Sequence, residues 1–458
     1  FVSNKMSTWN DTNQFPHNNF IWRGIDGTEV FACVPPVHFI SWMEPAQVFE
    51  SWNRFLDKDA CDESLHMFGY GDGGSGVTEE MLALYQRLKK LPGLPRLRLT
   101  TGREYLHSAF QQQQRLATWE GELYLEMHRG TFTTKAALKR ENRRGEFLAF
   151  ETEVLCTIAA LTGADYPLAA LRDAWKKLLL NQFHDILPGS HTAAVYWDAL
   201  ESYKEMKSVF ATARDNAIGS LTRGSSPSDF TFFNPFSFPR DTIAELPCST
   251  PGPSALNIQK QYVPGGAERW VVRTGEVQPF SFARWDPEME VTGDMCAGCS
   301  TLASPFFELN LDDGGSICRI VDKVRDREVL APAAIGNEWQ LFEDKPGVYN
   351  AWDLLETFEE HKLDMPDWSS LEVVEEGPLS AAICLRRQFY NSRAEQVIRV
   401  YAHVPRIDFE TFVSWHESER ILKVAFPVRV KAQHYLTDTS AGALERPIHR
   451  NTSWEQAR

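Results

Sequence analysis

The chain has 458 residues, of which 43% are hydrophobic and 24% are charged, and its formal net charge is −15 at pH 7. This length exceeds the size at which one hydrophobic core stops growing, so we expect two or three domains. The acidic balance argues against nucleic acid or an anionic membrane as a partner. The sequence contains no apolar run of about 20 residues, so no transmembrane helix is predicted. A neutral substrate suits this surface better.

Short apolar runs alternate with helical segments over residues 1–110. The predicted elements are strands over 29–33, 66–70 and 96–100 and helices over 46–55 and 79–90. Such alternation predicts a parallel α/β layer, in which ligands gather at loops after the strands. The glycine-rich loop 71–76 lies at such a position, although a flexible turn explains it at least as well. Its Asp72 would repel phosphate, so we exclude a phosphate loop.

The hydrophobic period changes to 3.6 residues in the next part, 111–223, which we assign to a helix bundle domain. Three apolar-periodic runs, at 135–161, 168–183 and 192–221, predict a three-helix bundle. Beyond a Gly- and Ser-rich linker at 224–229, many short strands without intervening helices predict a large antiparallel β-sandwich over 224–458. The predicted strands there are 269–272, 306–311, 380–385, 395–403 and 408–415.

A histidine and an aspartate stand side by side where the second bundle helix should end. His184 and Asp185 follow Asn181 and Gln182 and precede a Pro-Gly break. An imidazole next to a carboxylate can bind a metal, a sugar hydroxyl or a proton, but a lone histidine is more often a satisfied core or capping residue. The two amides favour a functional site, because buried amides need partners.

Two carboxylates lie in Gly121-Glu-Leu-Tyr-Leu-Glu-Met-His-Arg-Gly-Thr131. As a strand, this segment would place Glu122, Tyr124 and Glu126 on one face. Such a pair could serve as an acid/base device, while a solvated face with local salt bridges is the simpler interpretation. Tryptophans mixed with Asn and Asp, as around Trp9 and Trp22, are typical of sugar sites, although Trp is more often a core residue.

Taken together, several segments resemble glycoside hydrolase family 38, and most of all its cytosolic and vacuolar α-mannosidase branch. The resemblance covers essentially the whole chain. It is carried by Lys5-Met-Ser-Thr-Trp-Asn-Asp-Thr-Asn13, Phe68-Gly-Tyr-Gly-Asp-Gly-Gly74, Glu122-Leu-Tyr-Leu-Glu-Met-His-Arg-Gly-Thr131, Asn181-Gln-Phe-His-Asp-Ile-Leu-Pro-Gly189 and Gly336-Asn-Glu-Trp-Gln-Leu-Phe-Glu-Asp344.

The resemblance implies a zinc-dependent, retaining α-mannosidase that removes terminal non-reducing α-D-mannose from oligosaccharides. It implies a multidomain fold of α/β, all-α and all-β parts: the remainder of an α/β barrel-like catalytic domain, a three-helix bundle and a β-sandwich. By resemblance His184 would be a zinc ligand and Asp185 a hydrogen-bond partner of the mannose ring. Glu122 would be the general acid/base, with Glu126 left open, and Lys5 would lie close to the sugar.

The sequence departs from the family pattern at its start. The family's His-x-Asp zinc pair and its nucleophilic aspartate would precede Phe1, and strands would follow Arg458, so we expect this to be a piece of a longer protein. A catalytic zinc normally has three or more protein ligands, and hence residues 1–458 alone should bind zinc poorly and not turn over. We place the protein in the cytoplasm, or in the vacuole of a fungal-type host, and leave a homo-oligomer open.

Two alternatives remain at this point. One is a catalytically silent carbohydrate-binding homologue, and the other is a glycosidase on a related scaffold that acts on another sugar. Activity on an aryl α-mannoside, compared with other aryl glycosides, would separate them.

Overall fold

The computed structural model describes the chain except for residues 4, 11, 224–229, 247–256, 292, 440–441 and 450–458. The chain divides into two compact units. Unit 1 contains residues 1–132, 348–354 and 431–458, and unit 2 contains residues 133–347 and 355–430. The predicted linker at 224–229 lies outside the described residues. The described part contains no helix that is both long and apolar enough to cross a membrane.

Unit 1 combines short helices with a small mixed sheet. Its helices are α1 (Lys5–Thr8), α2 (Pro45–Asn53), α3 (Glu79–Leu88) and α4 (Gly102–Phe110), and its first strands are β1 (Asn19–Arg23), β2 (Glu29–Cys33) and β3 (Thr118–Glu120). The sheet has the order β2-β1-β3. The strand β1 is parallel to β3, as the predicted layer requires, but antiparallel to β2. A tight turn, in which Gly24 N–H donates to Thr28 O at 2.8 Å, joins β1 to β2, and such short connections produce antiparallel pairs.

The predicted helices over 46–55 and 79–90 and the strand over 29–33 are confirmed, whereas the strands over 66–70 and 96–100 are wrong. In the first, only an isolated bridge between Ser41 and Gly69 forms. In the second, Leu99 N–H donates to the hydroxyl of Tyr85 at 3.1 Å. Alternating hydrophobicity marks the side that a segment buries, but a strand also needs a neighbouring strand, and here a side chain of α3 takes that place.

Unit 2 begins with the predicted bundle, which forms as α5 (Ala136–Leu161), α6 (Leu168–Asn181) and α7 (Ala193–Leu221). Leu138, Leu178, Tyr203 and Phe210 are fully buried in its core. A Cβ on Gly145 would stand 2.8 Å from Met206 Cε, so this glycine lets α5 and α7 approach closely. All three predicted apolar runs are confirmed as helices, because each places its apolar residues on a stripe that the other two cover.

The remainder of unit 2 consists of antiparallel sheets. The strands are β4 (Thr231–Phe233), β5 (Arg240–Glu245), β6 (Ile258–Val263), β7 (Ala267–Val277), β8 (Phe282–Arg284), β9 (Cys296–Ala297), β10 (Thr301–Ala303), β11 (Phe307–Leu311), β12 (Ile317–Asp322), β13 (Arg327–Glu328), β14 (Glu338–Glu343), β15 (Lys362–Leu363), β16 (Ser370–Glu376), β17 (Ser380–Phe389), β18 (Ser392–Tyr401), β19 (Ile407–Ser414) and β20 (Arg420–Ala425). The largest sheets have the orders β13-β12-β11-β10-β9 and β16-β17-β18-β19. The five predicted strands are confirmed, and with them the fold class of α/β, all-α and all-β parts.

The last described strands of unit 1, His434–Thr439 and Gly442–Pro447, pair as an antiparallel hairpin. Seven cysteines in the described part are free, and Cys248 lies outside the described residues.

Candidate active site

The His184–Asp185 pair lies on a loop directly after α6. That helix ends at Asn181, and the chain then makes tight turns in which Phe183 O accepts from Ile186 N–H at 2.9 Å. His184 Nε2 stands 3.6 Å from Asp185 Oδ2, and the two side chains are 76% and 41% exposed. Ser190 Oγ donates to Asp185 Oδ1 at 2.8 Å. The loop thus presents an accessible imidazole beside a carboxylate of fixed orientation.

The donor chemistry of this pair fits a zinc ion, since imidazole nitrogen and carboxylate oxygen are both zinc ligands. Among the residues that the structure describes, however, no group of three or more His, Cys, Asp or Glu side chains could hold a metal ion. His184 therefore fits one position of a zinc site, and the pair by itself does not make a complete one.

Glu122 lies in unit 1, two residues after β3. Both of its carboxylate oxygens accept from Arg446, with Nη2 at 2.7 Å from Oε1 and Nε at 3.1 Å from Oε2. Arg446 is itself buried, and it belongs to the 434–447 hairpin. Planar, two-pronged contacts of this kind are among the strongest side-chain pairs. The Glu122 carboxylate thus anchors the hairpin to the residues after β3.

Glu126 is only 3% exposed. Its Oε1 accepts from Asn13 N–H at 2.8 Å, and its Oε2 accepts from Thr12 N–H at 2.7 Å. Its own backbone N–H donates to Asn10 Oδ1 at 2.9 Å. The carboxylate therefore fixes Thr12 and Asn13, which follow α1.

The strand considered for Glu122, Tyr124 and Glu126 does not form. The strand β3 ends at Glu120, and a 3₁₀ helix begins at Glu126 (Glu126–Phe132). The two carboxylates consequently do not share a strand face. Their partners, Arg446 and the backbone N–H groups of Thr12 and Asn13, lie far away in the sequence. These contacts determine the local path more strongly than β-propensity does.

Aromatic rings cluster around Trp9 in unit 1. The centroid of its ring lies 4.9 Å from His128, 5.0 Å from Trp352 and 5.6 Å from Tyr349. Lys5 Nζ stands 4.4 Å from the Trp9 ring centroid, which is cation–π geometry. Aromatic faces beside polar groups are the usual surface for a sugar ring.

A third carboxylate, Asp72, lies on an exposed 3₁₀ turn (Gly71–Gly73). Gly71 has φ +52°, and a Cβ there would stand 2.5 Å from Phe39 Cε2, so only glycine fits. Burial lowers the pKa of the neighbouring His38, Lys5 lowers it further, and Asp72 raises it. Lys5 and Asp72 thus both act electrostatically on His38. Sequence reasoning noted this glycine loop but did not connect it to Lys5, although its position after an expected strand was the available signal.

The five residues predicted from the sequence divide between the units. Lys5, Glu122 and Glu126 belong to unit 1, and His184 and Asp185 belong to unit 2. Within unit 1, both Lys5 and Glu126 support the segment around Trp9. Lys5 lies over the Trp9 ring, and Glu126 accepts from a residue shortly after Trp9 in the chain. The next residue, Met127, donates its N–H to Trp9 O at 3.3 Å.

Comparison with known families assigns most of the chain to one class of protein, the glycoside hydrolases. The model of the glycosyl hydrolases family 38 N-terminal domain matches residues 1–122, that of the alpha mannosidase middle domain matches 126–221, and that of the family 38 C-terminal domain matches 302–458. The three models follow each other in the order of the family's domains. The chain belongs to glycosyl hydrolase family 38.

Curated relatives agree with this assignment. The chain is 34% identical over 465 residues to Alpha-mannosidase 2C1 of Homo sapiens and 33% identical over 464 residues to the Mus musculus protein of the same name. It is 29% identical over 512 residues to Alpha-mannosidase G of Dictyostelium discoideum. All of this chain is matched each time, but it spans only 44%, 44% and 46% of those proteins.

Solved structures share the fold. An alpha-mannosidase from Enterococcus faecalis V583 superposes with a TM-score of 0.72 at 16% identity, over 96% of this chain and 60% of that one. A protein in the glycosyl hydrolase family 38 from Enterococcus faecalis superposes with a TM-score of 0.66, over 94% of this chain and 60% of that one.

Proposed function

We propose that the whole protein is a zinc-dependent, retaining α-mannosidase that releases terminal non-reducing α-D-mannose from oligosaccharides. The observation that carries this proposal is the exposed His184–Asp185 pair on a firmly held loop, in a chain of family 38 whose curated relatives are named alpha-mannosidases. Because the chain spans less than half of those relatives, the proposal concerns the complete protein.

His184 is proposed as one zinc ligand, through the ring nitrogen that the loop leaves accessible. Zinc bound there would polarise and hold ring hydroxyls of the sugar. Asp185 would accept a hydrogen bond from a mannose hydroxyl, with Ser190 fixing its other oxygen. Further zinc ligands and the nucleophilic aspartate would come from parts of the protein outside this chain.

Lys5 and the Trp9 cluster are proposed to bind the sugar. The rings of Trp9, Tyr349 and Trp352 offer apolar faces, and the ammonium of Lys5 offers a donor for hydroxyl oxygens. The same surface would serve a catalytically silent carbohydrate-binding homologue, so binding alone does not distinguish the two functions.

The acid/base remains a choice among carboxylates. A general acid/base must give a proton to the leaving oxygen and take one from water, so at least one of its oxygens needs access to both. Glu122 and Glu126 are the residues that the sequence proposes, but their oxygens already accept from Arg446 and from the 10–13 backbone. Asp72 is exposed, and no hydrogen bond to its carboxylate is found among the described residues.

Amide substitutions can assign the acid/base. Glu122→Gln, Glu126→Gln and Asp72→Asn are made in the full-length protein, and the pH dependence of kcat/KM is measured on an aryl α-mannoside. The acid/base variant loses the basic limb of the profile and about 10²–10⁴-fold in rate while keeping its thermal stability. A carboxylate that only supports the fold loses stability and keeps the shape of the profile.

The function itself is tested on the full-length protein with a panel of aryl glycosides, before and after chelation. We expect the α-mannoside to be hydrolysed with retention of the anomeric configuration. Activity should be lost on chelation and should recover when Zn²⁺ is added. Mannoside binding without turnover would support the silent homologue, and preference for another glycoside would support the third hypothesis. Activity that survives chelation would contradict the zinc assignment. Location in the cytoplasm or a fungal-type vacuole, and homo-oligomer formation, stay predictions.

A further inference from the structure

The loop that carries His184 and Asp185 is held at its far end by one lysine. Lys139, in the first turns of α5, donates from Nζ to Thr134 O at 2.5 Å, to Leu187 O at 2.9 Å and to Pro188 O at 3.3 Å. An ammonium has three N–H donors, so these three carbonyls account for all of them. One side chain therefore joins the residues before α5 to the residues just after the His-Asp pair.

Lys139 carries its ammonium in a partly buried position. Among the described residues, no carboxylate lies within salt-bridge distance of its ammonium, which is half-buried. Burial lowers the pKa of Lys139 to about 8. A half-buried charge without an anionic partner is unfavourable unless polar groups solvate it, and here backbone carbonyls do so.

The backbone around this contact is tightly packed. Gly189 has φ +89°, and a Cβ there would stand 2.7 Å from Thr134 O and 3.0 Å from Lys135 Cβ. The chain at 187–189 thus runs directly against the chain at 134–135, and there is no room for it to shift toward α5.

The near end of the loop is held by the same helix. Gln182 Nε2 donates to Asn142 Oδ1 at 3.2 Å and to Glu146 Oε1 at 3.1 Å. Lys139, Asn142 and Glu146 are spaced i, i+3 and i+7, so they form one face of α5. We call these three residues the α5 anchor face.

His184 depends on this support, because its own side chain is 76% exposed. Its ring centroid lies 4.1 Å from that of Phe183, and its Nε2 stands 3.6 Å from Asp185 Oδ2, so both contacts are with chain neighbours. The direction of the imidazole is therefore set by the backbone of the loop, and the α5 anchor face sets that backbone at both ends.

We propose that Lys139 is a positioning residue that, with Asn142 and Glu146, fixes the loop so that His184 and Asp185 meet the metal and the sugar together. This inference rests on the proposed function. It predicts that zinc affinity depends on a lysine that does not itself contact the ion.

The test uses the full-length protein and Zn²⁺ itself. Lys139→Met removes the three donors and keeps most of the stem, Lys139→Arg keeps donors on a longer group, and Lys176→Met on the exposed face of α6 is the matched control. Zinc affinity is measured by competition with a chelator, alongside thermal unfolding of the zinc-free proteins. We expect Lys139→Met to bind zinc about 10–100-fold more weakly, Lys139→Arg to recover part of that loss, and the control to match the wild type.

A purely structural role would lower the unfolding temperature of Lys139→Met and leave the zinc affinity of the folded protein unchanged, which would overturn the inference. If Lys139→Met does not fold, Gln182→Leu releases the other end of the loop, and unchanged zinc affinity in that variant overturns it equally. If the wild type itself binds no zinc and needs none for turnover, the proposed function fails instead, so the two failures are distinguishable.

Discussion

The carboxylates of unit 1 and the His-Asp pair of unit 2 are held in position in opposite ways. Glu122 and Glu126 are surrounded by donors. The oxygens of Glu122 accept hydrogen bonds from Arg446, and those of Glu126 accept from the backbone at residues 12 and 13. His184 and Asp185 are exposed, and the support falls instead on the backbone between them and α5. A group that must bind something from outside keeps its own atoms accessible and is positioned indirectly, whereas a group that holds the fold is enclosed by its partners.

The largest expected effect comes from removing the exposed imidazole. We expect His184→Ala to lower the mannosidase activity of the full-length protein at least about 100-fold, since loss of a residue that only supports a metal ligand already costs about 10–100-fold. Its thermal stability without zinc should change little, because the side chain is 76% exposed. The exposed His107 of α4 provides the matched His→Ala control. A stable and fully active His184→Ala would contradict the claim that this exposed side chain is kept accessible to bind something from outside.

Gly189→Ala should disturb the indirect support. The φ of +89° costs about 1–2 kcal/mol for any other residue, and the close contact with Thr134 O adds about 1–3 kcal/mol. Gly163→Ala is the matched control, because its φ is +101° but no atom lies within 4 Å of the added Cβ. Denaturant unfolding should show a larger loss for Gly189→Ala, accompanied by weaker zinc binding in that variant alone. Equal losses would mean that the contact at 187–189 is unimportant.

Glu126→Gln sharpens the other side of the comparison. The amide can present only one oxygen to donors that now approach both atoms of the carboxylate, and a buried donor left without an acceptor costs about 1–3 kcal/mol. We therefore expect a lower free energy of unfolding in denaturant titrations. Glu120→Gln, on the exposed end of β3, is the control. Unchanged stability together with a lost limb of the pH profile would make Glu126 the acid/base.

The last prediction concerns the charge on Lys139. Its pKa in the folded protein is lowered to about 8 by burial, while an unfolded lysine titrates near about 10.4. Between these values the unfolded chain binds a proton that the folded chain has lost, so stability rises with pH. Below pH 8 both states are protonated and the unfavourable contribution is constant. From about pH 7 to 10.5 the unfolding temperature of the zinc-free wild type should therefore rise more steeply with pH than that of Lys139→Met. Parallel curves of unfolding temperature against pH would contradict the lowered pKa.

The sequence predicts the helices and the His-Asp loop well, because both depend on residues that are close together in the sequence. The apolar period of α5 to α7 and the Pro188-Gly189 break after α6 are each contained in a short stretch. The family resemblance then adds roles for His184 and Asp185 that no spacing could supply.

The surroundings of the carboxylates were not predictable in this way. Glu122 pairs with a residue 324 positions further along the chain, and Glu126 with residues 113 and 114 positions earlier. The ring of Trp352 reaches Trp9 from an equally remote part of the sequence. Contacts of this range arise from the tertiary fold, and they replaced the predicted strand through residues 122–126.

Zinc binding by the full-length protein tests the central claim most directly. The wild type and His184→Ala are titrated with a chelator of known zinc affinity, and the free-energy difference is taken from the two dissociation constants. We predict that His184→Ala binds zinc at least about 100-fold more weakly, because a catalytic zinc site relies on three or four protein ligands. Equal affinities in the two proteins would show that His184 does not hold the metal.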